Sequence, residues 1–345
     1  MNMPIRTILA AVLGSVLPLH AASAEAFSPK ALQAITRPAD KAAFTTGWIP
    51  LGLKAADMHE KPLHAGHITD VGAAQMQFHF PSGWNKTDQR PALCIFPGGA
   101  YALQAIDKEG TRIAQWAAEH GMVGIVVKYR VSQGNHAVGQ FPGPLLDARQ
   151  AMRIARKYSG ALGINPRKIG VIGFSAGGHL AAMTTTLWNR TLPEEAANPL
   201  KTVSARPDFS MLIYPVITMT PGTTHGGTRS KILGARSGDR KLVELCSTER
   251  QVTAQTPPVF LVQSLDDGVS FKNSQLMEQA CTSNHVPVSL NLYPRGGHGY
   301  GMEKNGNPTD QWPQAAEQWL VERKILSASA RHDAKAPEAS GKRES

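Results

Sequence analysis

The sequence predicts an α/β fold in which a mainly parallel central sheet is covered by helices on both faces and carries a small inserted cap. Three observations predict it. Short apolar runs alternate along the chain with longer stretches of helical periodicity. One of these runs, Ala92 to Phe96, is short and apolar throughout, as a strand near the centre of such a sheet should be. A third signal is Gly173-Phe174-Ser175-Ala176-Gly177, which lies between the apolar run Ile169 to Ile172 and the helix-like stretch His179 to Leu187.

The elements follow in order. Residues 25–72 form an irregular lead-in rich in Pro, Ala and Gly. Gln75 to Phe80 alternates polar and apolar and reads as an early strand, followed by the strand Ala92 to Phe96. Helices are expected at Glu109 to Glu119 and Pro144 to Ser159, with the strand Val123 to Val127 between them. After the helix at His179 come a strand at Phe209 to Tyr214 and a polar region ending near Ser247. Strand Val259 to Gln263, helix Asn273 to Cys281, strand Val288 to Tyr293 and helix Gln311 to Leu326 complete the alternation. The last 18 residues, 328–345, are small and charged with almost no apolar content, which predicts a disordered tail.

Residues 1–24 read as a signal peptide rather than as part of the fold. Arg6 gives a positive start, Ile8 to Leu19 is a short apolar stretch broken by Gly14 and Pro18, and Ala22-Ser23-Ala24 offers small residues for cleavage. That stretch is shorter than the roughly 20 residues a spanning helix needs, so export to the periplasm or medium is expected and stable membrane insertion is not. Cleavage there leaves 321 residues, enough for one large core spanning 25–327 with the cap at about 215–247. Three cysteines exclude a disulfide-dense scaffold. Cys94 falls in an apolar strand, whereas Cys246 and Cys281 lie in more polar segments and are expected to pair in an oxidising compartment. The formal charge of +10 suits acidic surfaces or polysaccharides. Its Lys and Arg residues are scattered without an aromatic-basic array, which argues against nucleic acid.

Strand, sharp turn and helix are the setting of a nucleophile elbow, which makes Ser175 the candidate nucleophile. Its base should come late, on a loop after the last strand. His298, in Pro294-Arg295-Gly296-Gly297-His298-Gly299-Tyr300-Gly301, meets that requirement, and an imidazole titrates where a general base must. A carboxylate must hold the imidazole in the productive tautomer. The loop Gln263-Ser264-Leu265-Asp266-Asp267-Gly268-Val269 offers two: Asp267 is the favoured acid, and Asp266 the residue that braces the loop. With Asp267 the acid lies 92 residues after the serine, and the histidine 31 further on. This is the serine, acid, histidine order of the α/β hydrolases. Pro97-Gly98-Gly99-Ala100-Tyr101 follows a strand directly, and its small residues let backbone N–H groups approach a carbonyl oxygen. Gly99, Ala100 and Ala176, the residue after the nucleophile, are the candidate oxyanion donors. The loop lacks the Gly-Lys-Ser/Thr ending and the Gly-x-Gly-x-x-Gly spacing of a phosphate cradle.

Phe96 to Tyr101, Lys128-Tyr129-Arg130-Val131, Leu145 to Arg149, Gly173 to Leu180 and Pro294 to Tyr300 together resemble the bacterial α/β hydrolases of the acetylesterase, acetylxylan-esterase-like or xylanase-like family. The resemblance covers about residues 44–326. It implies that Gly99 and Ala100 stand in the oxyanion loop, where Ala100 replaces the family's third glycine while keeping the N–H. It also carries the acid role onto Asp267, with Gly268 and Lys272 departing from the family's proline and glutamate. The activity it implies is hydrolysis of short-chain, chiefly acetyl, esters of carbohydrates through an acyl-enzyme. A general carboxylesterase or peptidase on the same triad is the alternative enzyme, and a non-catalytic secreted carbohydrate-binding protein the alternative outside catalysis.

Residues 215–247, rich in Thr, Gly and Ser, are expected to shape a polar substrate site. Tyr101, Phe174, Trp188 and Tyr300 are aromatic candidates for lining it. His59, His64 and His67 share one polar stretch but lack partners at a metal-binding spacing, and the chemistry calls for no metal and no cofactor.

Overall fold

The computed structural model describes residues 42–134 and 136–327. The expected leader at 1–24 and tail at 328–345 lie outside the described residues. The central sheet contains β1 (Phe44–Thr45), β2 (Ile49–Pro50), β3 (Gln75–Phe80), β4 (Arg90–Phe96), β5 (Val123–Lys128), β6 (Ile164–Phe174), β7 (Ser210–Ile213), β8 (Val259–Ser264) and β9 (Val288–Tyr293). Its order is β1-β3-β5-β4-β6-β7-β8-β9, with β2 also paired to β3. From β5 onward across the sheet every pairing is parallel, and the antiparallel pairs gather at the β1–β3 edge.

The side-chain alternation of the strands divides the interior in two. Ala92, Cys94 and Phe96 of β4 enter one core with Val123, Ile125 and Val127 of β5 and Ile169 and Val171 of β6. Leu93 and Ile95 enter the other, with Val126, Ile172, Phe174, Met211 and Ile213. Successive residues point to opposite faces, so a strand apolar at every position needs cover on both. Helices supply it. On the first face lie α2 (Gly143–Lys157), α3 (Ala176–Thr186) and α6 (Lys272–Ser283), and on the second α1 (Arg112–Glu119) and α7 (Trp312–Glu322). Each large aliphatic side chain buried this way contributes about 1.5–3 kcal/mol.

Two charged residues in the family-like segments brace this frame. Arg130, just past β5, forks onto the fully buried Asp147 of α2 with contacts of 2.7 Å and 2.9 Å. Arg149, on the same helix, reaches Glu195 at 2.8 Å.

Several boundaries differ from the sequence reading. Residues Asp107–Thr111 form a wide π-type turn, and α1 starts only at Arg112 rather than at Glu109. The extra residue per turn rolls Glu109 inward, where it is 4% exposed. Strand β6 begins at Ile164, because Arg90 pairs with it across a register irregularity that Asn165-Pro166 conceals in the sequence. The 215–247 region is more regular than its Thr, Gly and Ser content suggests. It holds α4 (Gly226–Leu233) and α5 (Arg240–Cys246), started by the side chains of His225 and Asp239. Val216, Ile217, Met219, Ile232, Leu233 and Leu242 anchor it in the first core.

The expected Cys246–Cys281 disulfide is not formed: both cysteines, like Cys94, are free and fully buried. The polar flanks of Cys246 and Cys281 were misleading, because each is the inward residue of an amphipathic helix and its thiol packs in the apolar core. Among the described residues no helix is long and apolar enough to cross a membrane.

Candidate active site

The sheet brings its working groups to the carboxyl ends of β4, β6, β8 and β9, where ligands of parallel sheets bind. At the end of β6 the chain reverses into α3, and Ser175 takes φ 54° and ψ −117°, a conformation that costs a non-glycine residue about 1–3 kcal/mol. Surrounding contacts hold it there: its N–H donates to Ile213 O at 3.0 Å, and its carbonyl accepts from Val216 N and His179 N, both at 3.1 Å. The flanking glycines are required by proximity. A Cβ on Gly177 would stand 2.0 Å from Phe96 O, and one on Gly173 would stand 2.0 Å from Gly177 O.

His298 Nε2 lies 2.9 Å from Ser175 Oγ, and Nδ1 lies 2.8 Å and 3.0 Å from the two oxygens of Asp267. An ionised carboxylate only accepts, so Nδ1 carries the ring proton and Nε2 is left to accept from the serine hydroxyl. The Asp267 side chain is fully buried, and it also accepts the Gln263 side-chain amide at 2.8 Å and the Val269 N–H at 2.6 Å. These bonds hold the acid despite Gly268. Asp266 does not touch the imidazole. It accepts the N–H of Gly296 and of Gly297, each at 2.9 Å, and these bonds, that from Gly297 foremost, hold its carboxyl below the usual carboxylate range. Ser264 Oγ donates to Gly297 O at 2.6 Å, so the histidine loop is tethered at several points.

In the loop after β4, Gly99, Ala100 and Tyr101 all have positive φ, of 134°, 55° and 60°. Gly99 is obligatory, because a Cβ there would stand 2.2 Å from Leu103 O. Ala100 is strained as well as donor-competent, a cost its N–H alone does not reveal. Among the described residues no hydrogen-bond acceptor takes the N–H of Gly99, Ala100 or Ala176. The Gly98 N–H, by contrast, donates to Glu109 at 2.7 Å.

Other contacts around the site escaped the sequence reading. Tyr101 O–H donates to His179 Nδ1 at 2.8 Å, and His179 Nε2–H donates to Cys246 O at 2.8 Å, which ties the oxyanion loop through α3 to the end of α5. Burial pushes the His179 imidazole down to about 4. Asn273 of α6 accepts Ile217 N and Thr218 N and donates to Thr223 O and Ser270 O, pinning the start of the 215–247 segment. Tyr101 and His179 stood in family-like segments, but nothing in those segments pairs them with each other or with Cys246. Single buried acids and tyrosines carry no spacing signal.

Three of the four proposed lining aromatics, Tyr101, Phe174 and Tyr300, are buried in the core, and the fourth, Trp188, lies at a separate cavity. Phe174 is core, packed on Tyr214 and Trp312, and Trp188 lines a separate cavity of about 490 Å³ beside Arg149 and Arg153. Tyr300 is buried edge-on against Tyr214, with ring centroids 4.5 Å apart. Among the described residues no cluster of three or more His, Cys, Asp or Glu side chains is placed to hold a metal, His59, His64 and His67 included.

A mainly parallel sheet with an elbow serine at its centre, a histidine loop behind its last strand and spare N–H donors beside it defines a serine hydrolase on the α/β-hydrolase fold. The chain belongs to the BD-FAE family, whose model matches residues 76–281. Its relatives include an acetylxylan esterase of Xylanibacter ruminicola, 30% identical over 281 residues, with 80% of this chain and 54% of the relative covered. Endo-1,4-beta-xylanase B of Butyrivibrio fibrisolvens is 32% identical over 62% of this chain and 33% of its own length. The chain therefore spans about half of the first relative and a third of the second. Among solved structures, the acetyl ester-xyloside bifunctional hydrolase of Caldicellulosiruptor lactoaceticus is similar with a TM-score of 0.70 at 31% identity, over 81% of this chain and 97% of that one.

Proposed function

We propose that this chain is an exported esterase that removes short acyl groups, acetyl above all, from carbohydrates. The observation that carries the reading is the unbroken hydrogen-bonded line from Asp267 through His298 to Ser175, with unclaimed N–H donors at Gly99, Ala100 and Ala176 beside it.

Ser175 Oγ attacks the ester carbonyl while His298 Nε2 takes its proton, and Asp267 supports the imidazolium. The carbonyl oxygen gains negative charge and is met by the free N–H groups, each donor lowering the barrier by about 3 kcal/mol in sites of this kind. His298 then returns the proton to the departing sugar alkoxide, leaving an acyl-Ser175. Water, deprotonated by His298, attacks that ester and releases the acid and the free serine.

Two features support a sugar ester. The 215–247 segment carries Thr, His and Arg side chains, and among the described residues none of its large hydrophobic side chains is exposed, as a greasy lid would require. The relatives named above act on xylan-type substrates by name. Residues 1–24 support delivery to the periplasm or medium, where such polymers occur.

Purified protein should hydrolyse a chromogenic acetate ester and lose that activity in Ser175→Ala. It should also show higher kcat/KM on acetylated xylo-oligosaccharides than on a matched long-chain ester. A preference for the long chain would reject the substrate, and full activity in Ser175→Ala would reject the nucleophile.

A further inference from the structure

We propose that Glu109 is a positioning residue that ties the oxyanion loop to the histidine loop through Tyr214. The inference rests on the reading of Ser175 and His298 as the catalytic pair.

Glu109 is brought inside by the π-type turn at Asp107–Thr111, and its two carboxylate oxygens serve two different loops. Oε2 accepts the N–H of Gly98, the residue before Gly99 in the oxyanion loop, at 2.7 Å. Oε1 accepts the hydroxyl of Tyr214 at 2.7 Å. The Tyr214 oxygen in turn accepts the N–H of Gly301, three residues after His298, at 3.0 Å. Gly301 is fixed on its other side, because its carbonyl accepts the Trp312 indole N–H at 2.7 Å. The Tyr214 ring itself stands edge-on to the His298 imidazole, with centroids 4.9 Å apart. The separation between the oxyanion donors and the base is thus spanned by one path: Gly98, Glu109, Tyr214, Gly301.

The chemistry of this path needs a carboxylate. Tyr214 has one hydroxyl proton and gives it to Glu109 while its oxygen accepts from Gly301, so both Glu109 oxygens must accept. Burial pushes the Glu109 carboxyl up, and the bonds from Tyr214 and Gly98 oppose that shift. A glutamine of the same volume has one acceptor oxygen: set on Gly98, its amide faces the Tyr214 hydroxyl and leaves that proton without an acceptor in a buried site, and set on Tyr214 it leaves the Gly98 N–H unpaired. The loop left unpaired is free to move relative to the other, and a displacement of about 1 Å in a reacting group costs on the order of 100-fold in rate.

The test compares wild type, Glu109→Gln, Tyr214→Phe and the double variant. Its readouts are kcat and KM on a chromogenic acetate ester, the rate of Ser175 modification by a sulfonyl fluoride, and thermal melting. Glu109→Gln should lower kcat and the modification rate by about 10–100-fold with KM within about twofold. Tyr214→Phe keeps the Gly98 bond and should lose less, about 3–10-fold. The double variant should be no slower than Glu109→Gln, because both changes cut the same path. Wild-type kcat and modification rate in either folded single variant would overturn the proposal, as would a loss confined to KM or fully additive losses in the double variant. If Glu109→Gln does not fold, Tyr214→Phe decides alone. Ser175→Ala, run in parallel, judges the catalytic pair separately: activity lost there but untouched by Glu109→Gln counts against Glu109 only.

Discussion

The carboxylate of Asp266 accepts the N–H of Gly297 at 2.9 Å, so it grips the chain one residue before the histidine that its neighbour Asp267 orients. Adjacent acids on one loop thus have opposite assignments, one to the backbone and one to the imidazole. Asp267→Asn should lower kcat by about 10³–10⁴-fold, because an amide no longer enforces the tautomer with the proton on Nδ1. Asp266→Asn should cost less than about tenfold, since an amide oxygen still accepts from both glycines. Steady-state kinetics on one acetate ester decide the point, and the reverse ranking would move the acid role to Asp266.

Ser175 stores backbone strain that only its hydroxyl justifies. Ser175→Gly should raise stability by about 1 kcal/mol relative to Ser175→Ala, because glycine adopts φ 54° without the Cβ clash. Urea unfolding of the two inactive variants measures the difference. Equal midpoints would mean that the elbow is unstrained.

The three thiols are buried in the core, and burial pushes each of them up to about 12. Native protein should therefore leave all three unreactive toward a thiol reagent, and unfolded protein should react at three sites per chain. Reducing agent should not change the melting temperature. A Cys246–Cys281 peptide in a non-reducing map would contradict this.

Two histidines make the fold sensitive to acid. Burial holds His79 and His179 down to about 4, against about 6.5 for an exposed imidazole. Between those values the unfolded chain binds protons that the native state refuses, so their contribution is fully present above pH 6.5 and is lost as pH falls toward 4. The loss should reach up to about 1.4 kcal/mol per pH unit for each histidine. Denaturant titrations across this range should show a shallower slope in His79→Gln, whose site lies at the sheet edge beside Thr45. An unchanged slope would refute the assignment for His79.

Much of this molecule was legible along the chain because its signals are local. Two-sided burial makes a central strand apolar at every position, a helix repeats its inward face every three to four residues, and an elbow needs glycines on either side of its serine. Ser175, His298 and the adjacent pair Asp266 and Asp267 therefore announced themselves through the loops that present them, and Gly99, Ala100 and Ala176 through the small residues around them. What the sequence determined was the succession of the main strands along the chain, the loops that follow them and the residue types those loops carry. It left open which aspartate turns toward the imidazole, because adjacent side chains on a loop have no fixed period. It misjudged Cys246 and Cys281, whose polar neighbours conceal an inward helical face. It placed Glu109 and Tyr214 only as ends of elements and read His179 as a helix residue with local partners, where the structure gives all three long-range bonds. Their roles arise where elements far apart in the chain converge: Glu109 meets Tyr214 across 105 residues, and Tyr101 meets His179 across 78. Such contacts obey no spacing rule, and only the tertiary packing of helix on sheet decides which buried polar group finds which partner.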